Sequence, residues 1–327
     1  MITFTHANCP PRVATAGARR GFALARFAAR LALALGTAFG GATAAMAAQA
    51  ASAALPVVAA ENFYGDVVKQ IGGNYVDVTS ILSNPDQDPH LFEASPKTAR
   101  ALQNARVVVY NGADYDPWMT KLLGATGGGK STNSRTTIIA ADLVGKKAGD
   151  NPHLWYDPKT MPAVARAVSA ALGAADPAHK SVYDANLATF LASLQPVDAK
   201  VAALRARYQG QPVTATEPVF GYMSDAVGLD MRNLRFQLAT MNDTEASASD
   251  IAAFERDLRE RRVRVLIYNS QATEALTRRM LALAKQSNVP SVSVTETQPA
   301  GVSFQQWMLV QLDSLDKALA AGTAGQH

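Results

Sequence analysis

From Leu55 onward, short β-branched runs alternate with segments whose apolar residues recur at helical spacing. That alternation is the pattern of β-α-β units around mainly parallel sheets. In the first half it predicts strands over 56–60, 76–82, 106–110 and 136–140, with helices over 63–71 and 96–104 between them. Ser95-Pro96 and Asp157-Pro158 each read as an N-cap followed by proline at the first helical position, where a missing N–H costs nothing. The helix after Pro158 is expected to run to Gly173. A long helical stretch opens at Asp176-Pro177 and continues to about Tyr208. Its apolar residues Leu187, Phe190, Leu191, Leu194, Val197, Val201 and Leu204 keep close to a 3.6-residue period. Pro196 inside it predicts a kink or a break. Beyond it, strands are predicted over 212–216, 234–240, 264–268 and 291–294, with helices over 249–261, 273–286 and 303–321. The expected fold is α/β: two similar β-α lobes with mainly parallel sheets, residues 48–175 and 209–327, joined by a connecting helix over 176–208.

Residues 1–47 follow a different pattern. They hold five arginines and no acidic residue, then an apolar run over 31–39, then small residues ending in Ala45-Met46-Ala47. This is the layout of a cleavable secretory signal. The apolar run is broken by Gly36, Gly40 and Gly41 and is shorter than the roughly 18–20 residues a membrane anchor needs. Arg19-Arg20-Gly21-Phe22 resembles a twin-arginine signal, so both the Sec and the twin-arginine routes stay open. The leader also accounts for the formal charge of +4, because without its arginines 26 basic residues stand against 27 acidic ones. No nucleic-acid partner is expected of a mature chain so balanced. Cys9, the single cysteine, lies in the leader upstream of the apolar run. The mature chain is therefore expected to have no disulfide and no thiolate ligand, and Cys9 is badly placed for lipidation. A soluble periplasmic monomer is the expectation.

Of five histidines, His6 is in the leader, His327 is terminal, and His179 falls in the first turn of the long helix, where it is expected to be solvated. The other two share a context: Asp88-Pro89-His90-Leu91 and Asn151-Pro152-His153-Leu154. Each follows a proline that keeps the preceding residue extended, and each comes just before a predicted helix. Such turns lie at the sheet edge where open α/β folds place ligands. The second half offers Glu217 and Glu296, each just past a predicted strand. An acid there is often only a helix cap. Two imidazoles from one lobe and two carboxylates from the other would surround a single dication with no net charge left over, which makes burial of the charges tolerable.

Several motifs together make the chain resemble the metal-specific solute-binding proteins of ABC importers, the zinc and manganese receptor family. They are Gly73 after Lys69-Gln70-Ile71; Asp88-Pro89-His90 with Glu93 and Pro96; Pro152-His153-Leu154-Trp155 with Asp157-Pro158; and Phe220-Gly221-Tyr222 with Gly228-Leu229. The resemblance covers nearly all of residues 55–322. It implies two α/β lobes joined by a rigid long helix, a metal buried between them, ligands at His90, His153, Glu217 and Glu296, and delivery to a membrane permease. Two positions depart from common family patterns: Glu217 stands where zinc-type members often have histidine, and Glu296 where aspartate is common. Ligand type leans to manganese over zinc, with ferrous iron also suited, whereas raw affinity runs toward zinc. A metal-dependent hydrolase would use the same residues, but no HExxH or nucleophile elbow accompanies them, so no enzyme is expected. A metal-binding surface adhesin is a further alternative. A receptor for an organic solute would carry an aromatic-rich cleft, and the aromatics, 7% of residues, are scattered.

Overall fold

Strand β1 (Leu55–Glu61) is apolar nearly throughout, as befits a parallel strand covered on both faces. The computed structural model describes residues 53–84, 92, 94–126, 135–242, 244–272 and 274–324. The expected leader, His90 and Glu93 lie outside the described residues. After β1 come α1 (Asn62–Gly72), β2 (Val76–Leu82), α2 (Pro96–Asn104), β3 (Val107–Tyr110), α3 (Pro117–Thr126), β4 (Thr136–Ile139), α4 (Ala140–Leu143) and α5 (Thr160–Ala175). The four strands form one parallel sheet in the order β2-β1-β3-β4. Helices α6 (Lys180–Ser193) and α7 (Gln195–Tyr208) lead to the second lobe. There β5 (Pro212–Ala215), α8 (Gly221–Val227), β6 (Asp230–Arg232), α9 (Leu234–Met241), α10 (Ala248–Arg259), β7 (Leu266–Asn269), α11 (Ala275–Gln286), β8 (Ser291–Val294) and α12 (Phe304–Ala324) follow. Its sheet is also parallel, in the equivalent order β6-β5-β7-β8.

Three expectations need correction. The strand expected over 234–240 is helix α9. In a strand Leu234, Phe236 and Leu238 would share a face, but Phe236 is buried against Phe254 at 4.5 Å while Leu234 and Leu238 are exposed, a helical division. The break that Pro196 predicts in the long helical stretch falls at Leu194, and Pro196 sits in the first turn of α7, where its absent N–H has no partner to lose. Helix α5 starts at Thr160, two residues later than the Asp157-Pro158 signal implies. Asp157 instead closes a turn, accepting from Lys159 N at 3.0 Å and, through its carbonyl, from Thr160 N at 2.9 Å. His179 is not simply solvated: its Nδ1 pairs with Asp176 Oδ2 at 2.7 Å and its ring stacks on Tyr75 at 3.8 Å. The sequence pattern also missed β6, α3 and α4, all ten residues or shorter and too brief to show a period. Ser95 does cap α2 as its motif indicates, accepting from Thr98 N at 3.1 Å.

Residues Ala50–His327 form one unit, and a single apolar cluster runs through both lobes. Phe63 and Trp155 of the first lobe meet at 4.6 Å, and Tyr156 reaches Phe220 of the second at 4.9 Å. Polar ties fasten the same seam. Asn62 donates from Nδ2 to Gln298 O at 2.7 Å and accepts from Gln298 N at 3.1 Å. Asp66 Oδ2 accepts from Phe304 N at 2.8 Å, and the Gln70 and Gln305 amides donate to each other at 3.1 and 2.9 Å.

Candidate metal centre

In an open parallel sheet the carboxyl ends of the strands face the crevice where ligands bind. Both sheets place polar side chains there. In the first lobe, Asn111 follows β3 and donates from Nδ2 to Pro152 O at 2.8 Å, which pins the turn carrying His153. Asn151, two residues earlier, orients the imidazole. Its Oδ1 accepts from His153 N at 3.1 Å and faces His153 Nδ1 at 2.7 Å, while its Nδ2 donates to Pro218 O at 2.8 Å. An amide oxygen only accepts, so Nδ1 carries the ring proton and Nε2 presents a lone pair. That Nε2 is buried, has no hydrogen-bond partner, and stands 3.6 Å from Glu296 Oε2. Two donor atoms held roughly 2.1 Å from one ion at a tetrahedral angle stand about 3.4 Å apart, close to that separation.

Glu217 and Glu296 approach from the second lobe, just beyond β5 and β8. Glu217 occupies the N-cap position of a 3-10 turn, Pro218–Phe220, yet makes no cap hydrogen bond, so its carboxylate is not spent on the helix. Both acids accept from Asn269 at the end of β7: Nδ2 donates to Glu217 Oε2 at 2.9 Å and to Glu296 Oε1 at 2.6 Å. Glu296 Oε2 accepts from the Tyr115 hydroxyl at 2.9 Å. Burial, and next the charge of Glu296, push the Tyr115 phenol well above its ordinary pKa, so it stays a donor. Among the described residues no group of three or more His, Cys, Asp or Glu side chains is gathered closely enough to hold an ion as it stands. Of the four expected ligands, His153 meets Glu296 directly, Glu217 joins Glu296 through Asn269, and His90 lies outside the described residues.

Tyr115 is delivered by a strained turn. Gly112, Ala113 and Asp114 are consecutive left-handed residues with φ of 77°, 51° and 64°. The two with side chains cost on the order of 1–3 kcal/mol each. Asp116 holds the turn by accepting from Asn111 N at 2.7 Å and Gly112 N at 2.8 Å. Behind it, the Glu61 carboxyl ends β1 almost fully buried, and neither of its oxygens has a hydrogen-bond partner. Burial first and the Asp116 charge second raise its pKa well above the ordinary value. Asp116 itself is pushed up to about 6, chiefly by burial.

Asn269, Tyr115, Asn151 and Glu61 were not foreseen. Asn at a strand end reads as a turn former, and a buried tyrosine as core. Only the parallel between Asp88-Pro89-His90 and Asn151-Pro152-His153 hinted at Asn151.

The donor set is nitrogen and carboxylate oxygen, suited to a borderline divalent ion such as zinc, manganese or ferrous iron. The buried lone pair of His153, facing an anionic oxygen across a gap that one such ion spans, fits that chemistry. The family profile described as zinc-uptake complex component A periplasmic matches residues 57–318. The chain is 26% identical over 289 residues to the metal ABC transporter substrate-binding lipoprotein SloC of Streptococcus mutans, covering 81% of this chain and 90% of that protein. It is 25% identical over 286 residues to the manganese ABC transporter substrate-binding lipoprotein PsaA of Streptococcus anginosus, covering 81% and 89%. Its fold is similar to that of the periplasmic zinc binding protein TroA from Treponema pallidum, with a TM-score of 0.68, 20% identity, and coverage of 81% of this chain and 99% of that one.

Proposed function

Because the chain belongs to the zinc-uptake complex component A periplasmic family, we propose that it is the receptor of a metal importer. It binds one divalent transition-metal ion, manganese or zinc, between its lobes and hands it to the membrane permease of an ABC transporter. The ligands are His153, Glu217 and Glu296, with His90 as the fourth. Residues 1–47 act as the export signal, and residues 48–175 and 209–327 form the two lobes of a periplasmic monomer. The relatives are named substrate-binding proteins, which supports capture and release of the ion rather than turnover.

One observation carries this reading: the buried Nε2 lone pair of His153, oriented by Asn151 and aimed at Glu296 Oε2 3.6 Å away. A buried acceptor without a donor costs about 1–3 kcal/mol, and a dication between the two atoms removes that cost. Calorimetric titration should show one ion per chain. An ion present at 100 times its Kd adds about 2.7 kcal/mol of stability by linkage. His153→Ala is expected to weaken binding by more than the roughly 10–100-fold that loss of an outer partner causes. Wild-type affinity in a folded His153→Ala protein would show that the ion binds elsewhere.

A further inference from the structure

The lobes repeat each other in sequence along the strands that reach the crevice. Pro56-Val57-Val58-Ala59-Ala60-Glu61 in the first lobe matches Pro212-Val213-Thr214-Ala215-Thr216-Glu217 in the second, and residues 106–111 (RVVVYN) match 264–269 (RVLIYN). Hydrogen bonds fix the same register in both: Arg106 N donates to Pro56 O at 2.9 Å, and Arg264 N to Pro212 O at 2.8 Å. Strand order agrees, since β1 and β5 hold the same place in β2-β1-β3-β4 and β6-β5-β7-β8. Glu61 is therefore the counterpart of Glu217, and Asn111 that of Asn269. Their partners differ. Asn269 Nδ2 donates to Glu217, whereas Asn111 Nδ2 donates to Gly112 O at 2.9 Å and Pro152 O at 2.8 Å. Glu61 is left without the amide, 2% exposed and with neither oxygen hydrogen-bonded.

The carboxyl that Glu61 faces is that of Asp116, also 2% exposed. Asp116 accepts one N–H on each oxygen, from Asn111 and from Gly112, and a carboxylate has about four acceptor sites, so each oxygen keeps a lone pair. Two buried acids side by side need a positive partner, because burying an uncompensated charge is costly. A proton neutralises one of them, and a dication neutralises both. We propose that Glu61 and Asp116 form a second cation site, in the first lobe, for a hard divalent ion, Mg2+ or Ca2+. Both acids offer only oxygen, which these ions prefer and zinc does not. Either ion completes its shell with water, and Asp116 lines an open cavity of about 490 Å3 that also carries Asp114 and Asp142. Exposed Lys121 and Lys147 share that cavity, so selection falls to the buried pair and not to the mouth. An ion there also braces Asp116, which holds the turn that delivers Tyr115 to Glu296. None of the proposed ligands of the transition metal takes part, so the site stands or falls apart from the receptor function.

The test titrates wild type and Glu61→Gln, each carrying one equivalent of Zn2+, with Mg2+ and with Ca2+ by calorimetry. Wild type should bind one such ion per chain beside the zinc, and the tighter of the two shows which size fits. Glu61→Gln should bind it more weakly, by more than the roughly tenfold that loss of an outer partner costs a metal site. Three results overturn the site: no Mg2+ or Ca2+ bound by wild type, equal affinity in a folded Glu61→Gln, or displacement of the zinc by the added ion. A wild type that takes no zinc removes the receptor function alone, because Mg2+ or Ca2+ binding that depends on Glu61 still supports the second site. Should Glu61→Gln not fold, wild type is titrated with Tb3+, a hard ion whose emission nearby tyrosines sensitise. Tyr64 feels the charges of both acids and Tyr110 that of Asp116. Tyrosine-excited emission that Mg2+ or Ca2+ quenches supports the site, and emission that is absent or untouched by either ion overturns it.

Discussion

At the scale of single residues, the centre is held by groups that are each already committed to a neighbour. His153 depends on Asn151 for its tautomer, and Glu296 on Tyr115 and Asn269 for its direction. Glu61 is the exception, a buried acid that faces another acid. A folded-state pKa raised above the ordinary 4.5 means that the native chain keeps a proton the unfolded chain has lost. Its contribution is fully present below that value and declines as pH rises, by about 1.4 kcal/mol per pH unit until the folded group ionises. Asp116 adds the same sign over the window from 3.8 to about 6. Glu61→Gln keeps the shape of the side chain and removes the Glu61 titration. It should melt higher than wild type at about pH 8, and the two should converge near pH 4.5. Parallel melting curves across that range would mean that Glu61 is ionised in the native protein.

At the scale of elements, α1 sits unusually close to β2, and a glycine permits it. A Cβ on Gly72 would lie 2.4 Å from both Val76 Cγ1 and Val76 Cγ2. Valine is branched at Cβ and has few rotamers through which to escape. Gly72→Ala is therefore expected to cost about 1–3 kcal/mol by overpacking, although alanine is the better helix former. Val76→Ala in the same chain should restore part of the loss, so that a double-mutant cycle by chemical denaturation gives a favourable coupling. Additive effects would place the two residues further apart. The same helix carries Asn62, Asp66 and Gln70, so its seating against β2 also sets the seam with α12.

At the scale of the whole molecule, the lobes share one apolar cluster and are tied by side chains on both flanks of the centre. Asn62 bonds Gln298, two residues after Glu296, while Asn151 and Tyr222 link the His153 turn to the Glu217 turn. Release of a bound ion then requires these ties to part or the turns to shift within them. Asn62→Ala deletes two hydrogen bonds across the seam, worth roughly 1–3 kcal/mol together. It should speed ion loss to an excess of chelator about tenfold in stopped-flow measurements while changing none of the proposed ligands. An unaltered dissociation rate would show that the ion leaves without parting this flank.

Much of this architecture is local information, and the sequence alone determined it. The alternation of β-branched runs with helical periods specified two parallel β-α lobes, because burial on both faces and a 3.6-residue stripe are written in consecutive residues. Proline spacing marked the break near residue 196 and singled out the turn that carries His153. Tertiary structure decided the rest, because it depends on which strands become neighbours. Asn269 and Glu217 are 52 residues apart, and Tyr115 and Glu296 are 181 apart. No periodicity connects such pairs. Only the order β5-β7-β8 puts an amide between two acids, and only the joining of the lobes brings a phenol and an imidazole to the same carboxylate. Strand order and lobe packing are selected by the free energy of the whole chain, so this geometry emerges only when the chain is folded.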